Sequence, residues 1–160
     1  MANVFWISAG SNLGDRAANI DRAFAMLAAE PDVSVEAVSR KVETEPVDVP
    51  QEYRDLKFLN AAARVSAGFE PHRFLDLCLR IEAALGRVRP APRNSPRPVD
   101  LDMVCGMRAD GSWIEVCDFP RLVLPHPRAH LRAFVIEPLR EIDPAAVGRL
   151  LERTPAGKAR

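Results

Sequence analysis

The sequence predicts an α+β sandwich, a mainly antiparallel sheet with helices packed on it. Three observations predict it. Short apolar or alternating runs of strand length recur along the chain. Two longer stretches carry apolar residues at helical spacing. Their order is roughly β-α-β-β-α-β with additions, the signature of a ferredoxin-like sandwich. At 160 residues the chain has the size of a single domain, residues 1–160, and buries a full core without staples.

Val4–Ser8 is a short apolar run and reads as the first strand, ended by Gly10. Residues 10–15, Gly-Ser-Asn-Leu-Gly-Asp, have loop chemistry. Asp15 is placed to cap a helix over about 16–29, where Ile20, Phe24 and Leu27 share one face. Pro31 follows it. Val33, Val35 and Ala37 alternate, so a strand begins there and runs toward Thr44. Residues 45–57 hold two prolines and no period, which reads as a long exposed loop of the functional kind. Phe58–Val65 reads as a strand. Pro71 suits the first turn of the next helix, whose stripe is Phe74, Leu77, Cys78, Ile81 and Leu85, with Gly86 as its stop. The arginine- and proline-rich segment after it is irregular, because each proline holds its predecessor extended. Val99–Val104 reads as a strand, with another near Trp113–Val116. Leu122–Pro127 is extended, a short helix covers about 132–140, and Thr154–Arg160 reads as a frayed tail.

Bulk chemistry narrows the function classes. The 22 basic and 22 acidic side chains cancel, which argues against nonspecific binding to nucleic acid or a membrane surface. Cys78, Cys105 and Cys117 are odd in number and lack a Cys-x-x-Cys spacing, so they read as free thiols in a reducing compartment. With neither a basic signal-like start nor a long apolar stretch, the expected location is the cytoplasm.

The most informative segment is Arg87–Asp102. Arg87, Arg89, Arg93 and Arg97 alternate with four prolines, no acid stands among them, and then Asp100 and Asp102 follow. Guanidinium groups bind phosphate oxygens bidentately and stay charged. On a strand, Asp100 and Asp102 share a face while Leu101 points into the opposite layer. Two carboxylates that close repel unless a cation lies between them, and magnesium is typically held by one or two carboxylates plus substrate phosphates. Solvated surface acids and a solvated basic loop are the plainer readings. The apolar neighbours Val99, Leu101, Met103 and Val104 weigh against the first, and the stiffening prolines weigh against the second. No Gly-x-x-x-x-Gly-Lys phosphate loop occurs, so side-chain arginines and metal would hold any nucleotide. His126 lies between two prolines and is placed to donate a hydrogen bond to a phosphate, with His130 and Arg132 nearby; His72 reads as a surface residue. Phe58 and Phe134 suit the sandwiching of a flat heterocycle, and Asn60 offers its edge a donor and an acceptor.

Together, Gly10-Ser-Asn-Leu-Gly14, Phe58-Leu-Asn-Ala-Ala62, Arg97-Pro-Val-Asp-Leu-Asp102, Leu124-Pro-His-Pro-Arg128, Arg132-Ala-Phe134 and Pro138-Leu139 resemble the 6-hydroxymethyl-7,8-dihydropterin pyrophosphokinases of folate synthesis. The resemblance covers residues about 3–143. It implies a ferredoxin-like fold and transfer of the β,γ-pyrophosphate of ATP to the pterin hydroxymethyl group, leaving AMP. It implies two Mg2+ ions on Asp100 and Asp102, with Arg87, Arg97, Asp100 and Asp102 acting at the reacting phosphates. ATP is expected to meet Glu82, Arg87, Arg89, Arg97, Arg121, His126 and Arg132. The pterin is expected to meet Thr44, Pro46, Val47, Phe58, Asn60, Asp100 and Phe134. Loops 11–15, 47–57 and 89–96 would close over the substrates, with Arg89–Pro96 as a lid hinged at Arg87 and Arg97. The sequence departs from the family at Asn94, where an aromatic is often found, at Pro90, at Leu79 and in a longer 47–57 loop. A monomer is expected, with no nucleic-acid or membrane partner. Two rivals are an RNA-binding module, which would need exposed sheet aromatics and a basic face, and a related pyrophosphokinase acting on a modified pterin.

Overall fold

The computed structural model describes residues 2–46, 49–92 and 95–153. Eleven regular elements are present among them: β1 (Asn3–Ser11), α1 (Arg16–Ala29), β2 (Val33–Val38), β3 (Val42–Thr44), β4 (Phe58–Ala67), α2 (Pro71–Ala84), β5 (Asp100–Met107), β6 (Val116–Asp118), β7 (Leu122–Leu124), α3 (Ala133–Ile142) and α4 (Pro144–Arg153). Short 3-10 turns cover Gln51–Tyr53 and Ala129–Leu131. The main sheet runs β2-β4-β1-β5, with β3 pairing the end of β4 beyond β2, and every pairing is antiparallel. β6 and β7 form a separate hairpin.

β1 lies between β4 and β5 and is buried along nearly its whole length. That is why its sequence is continuously apolar or small rather than alternating. Phe5, Ile7 and Ala9 point into a core shared with Ile20 and Leu27 of α1 and with Phe74, Leu77 and Ile81 of α2. Trp6 points the other way, into a second core with Trp113, Val135, Leu139, Val147 and Leu150 under α3 and α4. Each helix is delimited as its sequence dictates. Asp15 Oδ1 accepts the Ala18 N–H at 3.1 Å at the start of α1. Gly86 closes α2 at φ +101°, a conformation open to glycine and costly elsewhere.

Four expectations need correcting. Gly10 and Ser11 belong to β1, not to a loop, because they pair with Asn60 and Leu59. The strand from Val33 toward Thr44 is interrupted at residues 39–41, where the Ser39 hydroxyl takes the Ala62 N–H that a ladder carbonyl would have accepted. The strand expected at Trp113–Val116 is a single bridge, Met107 to Trp113, and β6 begins only at Val116. α4 was not anticipated. Its signal was present: Asp143 and Pro144 form a cap and first turn, with the Asp143 carboxylate accepting the Ala146 N–H at 3.1 Å.

The β1–β5 register shifts between Trp6 and Ile7, leaving Val104 as the extra residue on β5. Bulges of this kind re-aim side chains. Here Val104 and Cys105 both join the second core, while Leu101 and Met103 stay in the first. Asp100 and Asp102 therefore share the face of the sheet that α3 and α4 leave partly uncovered.

Candidate active site

That uncovered patch is the floor of the site. Gly10 lies between Asn60 of β4 and Asp100 of β5, and Ser8 lies between Ala62 and Asp102. Where Trp6 fills the space under α3 and α4, Ser8 and Gly10 leave it open. The result is a cavity of about 830 Å³. A Cβ at Gly10 would stand 3.1 Å from Asn60 Oδ1 and 3.6 Å from the Phe58 ring, so a side chain there would push on both.

The aromatic end of the cavity is built by Phe58 on β4 and Phe134 in the first turn of α3. Asn60 is buried, and its Nδ2 donates to Thr44 Oγ1 at 2.6 Å, which fixes the amide across the β3–β4 pairing. Val49 and Glu45 close this end. Arg97 stands 5.8 Å from the Phe58 ring and Arg132 stands 5.7 Å from the Phe134 ring, within cation–π range. The two aromatics are thus each tied to a guanidinium that belongs to the charged end.

The charged end is lined by Arg87, Arg89, Arg97, Arg128, Arg132, His126, Asp100 and Asp102. Three of the arginines are already engaged with acids. Arg87 Nη1 donates to Asp100 Oδ1 at 2.5 Å, and Arg97 Nη1 approaches Asp100 Oδ2 at 3.5 Å. Arg89 donates to Glu82 Oε1 at 3.0 Å. Glu82 does not line the cavity but lies beneath it. It is 2% exposed, and its other oxygen accepts the Leu101 N–H at 2.7 Å. Burial raises its pKa, partly offset by that backbone donor and by Arg89 and Arg87, while the Asp100 charge adds to the rise.

Asp102 has no hydrogen-bond or ion-pair partner among the described residues. Burial, then the charges of Asp100 and Glu82, push its pKa up to about 8. A half-buried carboxylate in that position, beside a second carboxylate, is costly without a cation. Among the described residues no group of three or more His, Cys, Asp or Glu side chains is disposed to hold a metal. Asp100 and Asp102 therefore fit a magnesium ion that takes its remaining oxygens from phosphate and water, and they would not suffice for a closed all-protein site.

His126 is held rigidly. Its backbone N–H donates to Val104 O at 2.7 Å, on the outer edge of β5. Its Nδ1 accepts the Arg128 N–H at 3.1 Å, so in the neutral ring the proton sits on Nε2. Desolvation, then the charges of Arg132 and Arg128, lower the pKa to about 4. His126 thus offers the cavity a neutral N–H donor throughout the physiological range.

The remaining expected residues are placed as follows. Arg121, in the β6–β7 turn, bonds Asp76 of α2 at 2.6 Å and does not line this cavity. Pro46 lines a separate shallow hollow with Glu45, Val49 and Arg54. Val47, Arg93 and Asn94 lie outside the described residues. His72 is exposed and bonds Asp118 at 2.8 Å. Residues that sequence reasoning did not single out also line the cavity, notably Ser8, Glu45, Val49, Arg128 and Leu131. Ser8 and Gly10 carried a readable signal, since small residues at alternate positions of a buried strand leave a hollow on one face. Arg128 carried none beyond its place beside His126.

Taken together, the cavity joins a flat aromatic slot with hydrogen-bonding groups at its edge to an arginine-lined trough with two carboxylates at its base. It can hold a heterocycle and a polyphosphate end to end. The family model described as 7,8-dihydro-6-hydroxymethylpterin-pyrophosphokinase matches residues 6–144. The chain is 43% identical over 143 residues to the 2-amino-4-hydroxy-6-hydroxymethyldihydropteridine pyrophosphokinase of Methylorubrum extorquens, covering 89% of this chain and 84% of the relative. It is 38% identical over 143 residues to the Bacillus subtilis protein of the same name, covering 89% and 79%. A crystal structure of HPPK-DHPS in complex with substrates aligns with a TM-score of 0.60 at 12% identity, over 89% of this chain and 40% of that one; at that identity it speaks for the fold alone. A family match spanning nearly all of the structured chain, with close relatives matched along most of their length, means that the chain belongs to the 7,8-dihydro-6-hydroxymethylpterin-pyrophosphokinase family.

Proposed function

We infer that the protein transfers pyrophosphate from ATP to 6-hydroxymethyl-7,8-dihydropterin, a step of tetrahydrofolate biosynthesis. The observation that carries this reading is the ladder Asn60–Gly10–Asp100 across β4, β1 and β5. Strands are about 4.8 Å apart, so a heterocycle read by Asn60 has its substituent within reach of groups held at Asp100. The pterin hydroxyl oxygen attacks the β-phosphorus and loses its proton. The bond from that phosphorus to the α–β bridging oxygen breaks, and AMP leaves with that oxygen.

In this reading Phe58 and Phe134 hold the pterin ring, while Asn60, with Thr44, meets its edge. Arg87, Arg89, Arg97, Arg132 and the Nε2 proton of His126 take the phosphates. Glu82 positions Arg87 and Arg89 from below. Two magnesium ions, held by Asp100 and Asp102, would neutralise the triphosphate and acidify a coordinated hydroxyl. Positioning and charge neutralisation then supply most of the catalysis, as in phosphoryl transfer generally. The reading also carries a monomeric single domain working in the cytoplasm.

The test is AMP release by the Asp100→Ala and Asp102→Ala variants across a magnesium titration. Each is expected to lower kcat by at least about 100-fold, the scale on which a preorganised charge acts. Turnover close to wild type in either variant would remove that carboxylate from the metal site.

A further inference from the structure

The Gly10–Gly14 segment is absorbed only partly by this account, because Gly10 shapes the cavity while Asn12 does not line it. Asn12 is 4% exposed, and both of its bonds go to one residue. Its side-chain Oδ1 accepts the Arg97 backbone N–H at 2.9 Å, and its own backbone N–H donates to the Arg97 carbonyl at 3.3 Å. The two residues are 85 positions apart. The contact joins the end of β1 to the last turn of the arginine segment, two residues after Ser95, whose carbonyl receives the Arg97 Nε–H at 2.9 Å.

We propose that Asn12 is a positioning residue for Arg97. Asn12 holds the Arg97 backbone by both of its polar groups. The side chain then has a short, defined path to Asp100 Oδ2 at 3.5 Å and to a place over the Phe58 ring. Arg97 meets both the carboxylate end, at Asp100, and the aromatic end, at Phe58. A clasp on its backbone therefore sets where the phosphate-facing guanidinium stands relative to the heterocycle. Asn12 Nδ2 is buried without a partner, so what the position supplies is the acceptor Oδ1, in spite of an orphaned donor. A displacement of about 1 Å of such a group is enough to cost about 100-fold in rate.

The inference rests on the reading of Arg97 as a phosphate-facing residue, and a double-mutant cycle separates the two. kcat and KM for ATP and for the pterin are measured for the wild type, Asn12→Ala, Arg97→Ala and the double variant, with thermal melts of each. Asn12→Ala is expected to lower kcat/KM for ATP by about tenfold or more, and to lower it less than threefold in the Arg97→Ala background. Full additivity overturns the positioning role, whatever the melts show. An Arg97→Ala variant with wild-type kcat/KM overturns instead the underlying reading of Arg97. If Asn12→Ala does not fold, Asn12→Asp keeps the volume and the Oδ1 acceptor and is expected to stay within threefold of wild type. A loss of tenfold or more in Asn12→Asp contradicts the proposal.

Discussion

At the scale of single residues, the site separates groups by the charge their surroundings allow. His126 is half-buried between two arginines, and its Nδ1 is occupied by the Arg128 N–H. Its lowered pKa has a definite consequence for stability. Between about pH 6.5 and 4 the unfolded chain binds a proton at this ring and the folded chain does not. Its contribution to stability is therefore complete above the unfolded value and is lost as pH falls from about 6.5 toward 4. Ring-proton NMR should show His126 titrating near 4, with the Nε2 tautomer above that. A midpoint close to 6.5 would contradict the buried, neutral assignment. Gly10 is the second residue whose role is set by space. Gly10→Ala places a methyl 3.1 Å from Asn60 Oδ1 and should raise the pterin KM several-fold while leaving the ATP KM within about twofold, since tight contacts of this size shift the neighbour. Equal effects on both substrates would argue that Gly10 shapes the fold, not the pterin edge. Residues of this scale divide in how readable they are. Asp100 and Asp102 were legible because strand alternation alone puts them on one face. Glu82 was not legible from its own chemistry. A glutamate on a helix looks like any solvated acid until α2 packs against β5 and carries it to Leu101 and the arginines.

At the scale of elements, the Glu82 bond is a splice between α2 and β5. It gives the Leu101 N–H of the edge strand β5 a buried carboxylate acceptor, and charge-assisted bonds of this kind are shorter and stronger than neutral ones. Glu82→Ala leaves the Leu101 N–H without its acceptor and frees Arg89. The expected cost is about 1–3 kcal/mol, which lowers the melting temperature by several degrees in a chain of this size, at roughly 2–4 °C per kcal/mol. An unchanged melt would show that the bond is replaced by water at no cost. α1, α2, β1, β4 and β5 were readable because apolar period and caps agree in each. The breaks were not. Ser39 interrupts the β2–β3 edge through a hydroxyl that competes with the backbone, and the Val104 bulge depends on which residues of β1 it meets. Neither choice is visible in the strand's own sequence. α4 lay within reach of a reading that gave the Asp143–Pro144 start its due weight.

At the scale of the whole molecule, the sheet has two unequal faces. One is covered by α1 and α2, with Ile114, Leu122 and Leu124 adding to the same core. The other is covered by α3 and α4 only as far as Trp6, which stacks on Trp113 at 5.9 Å. The change from Trp6 to Ser8 and Gly10 along one strand turns a packed layer into an open cavity, and the two strands flanking it supply an aromatic–amide half and a carboxylate half. The β-α-β-β-α-β order was sufficient to anticipate this scaffold. Placing Arg97, Phe58, Asn60 and Asp100 around one opening needed the register itself. In the proposed function this cavity passes a diphosphate from nucleotide to pterin, with cleavage between the α- and β-phosphates. Phosphorus NMR of the protein with ATP, 6-hydroxymethyl-7,8-dihydropterin and magnesium tests it most directly. One AMP is expected for each pterin diphosphate ester formed, with no ADP. ADP with a pterin monophosphate, or ADP with free phosphate, would contradict it.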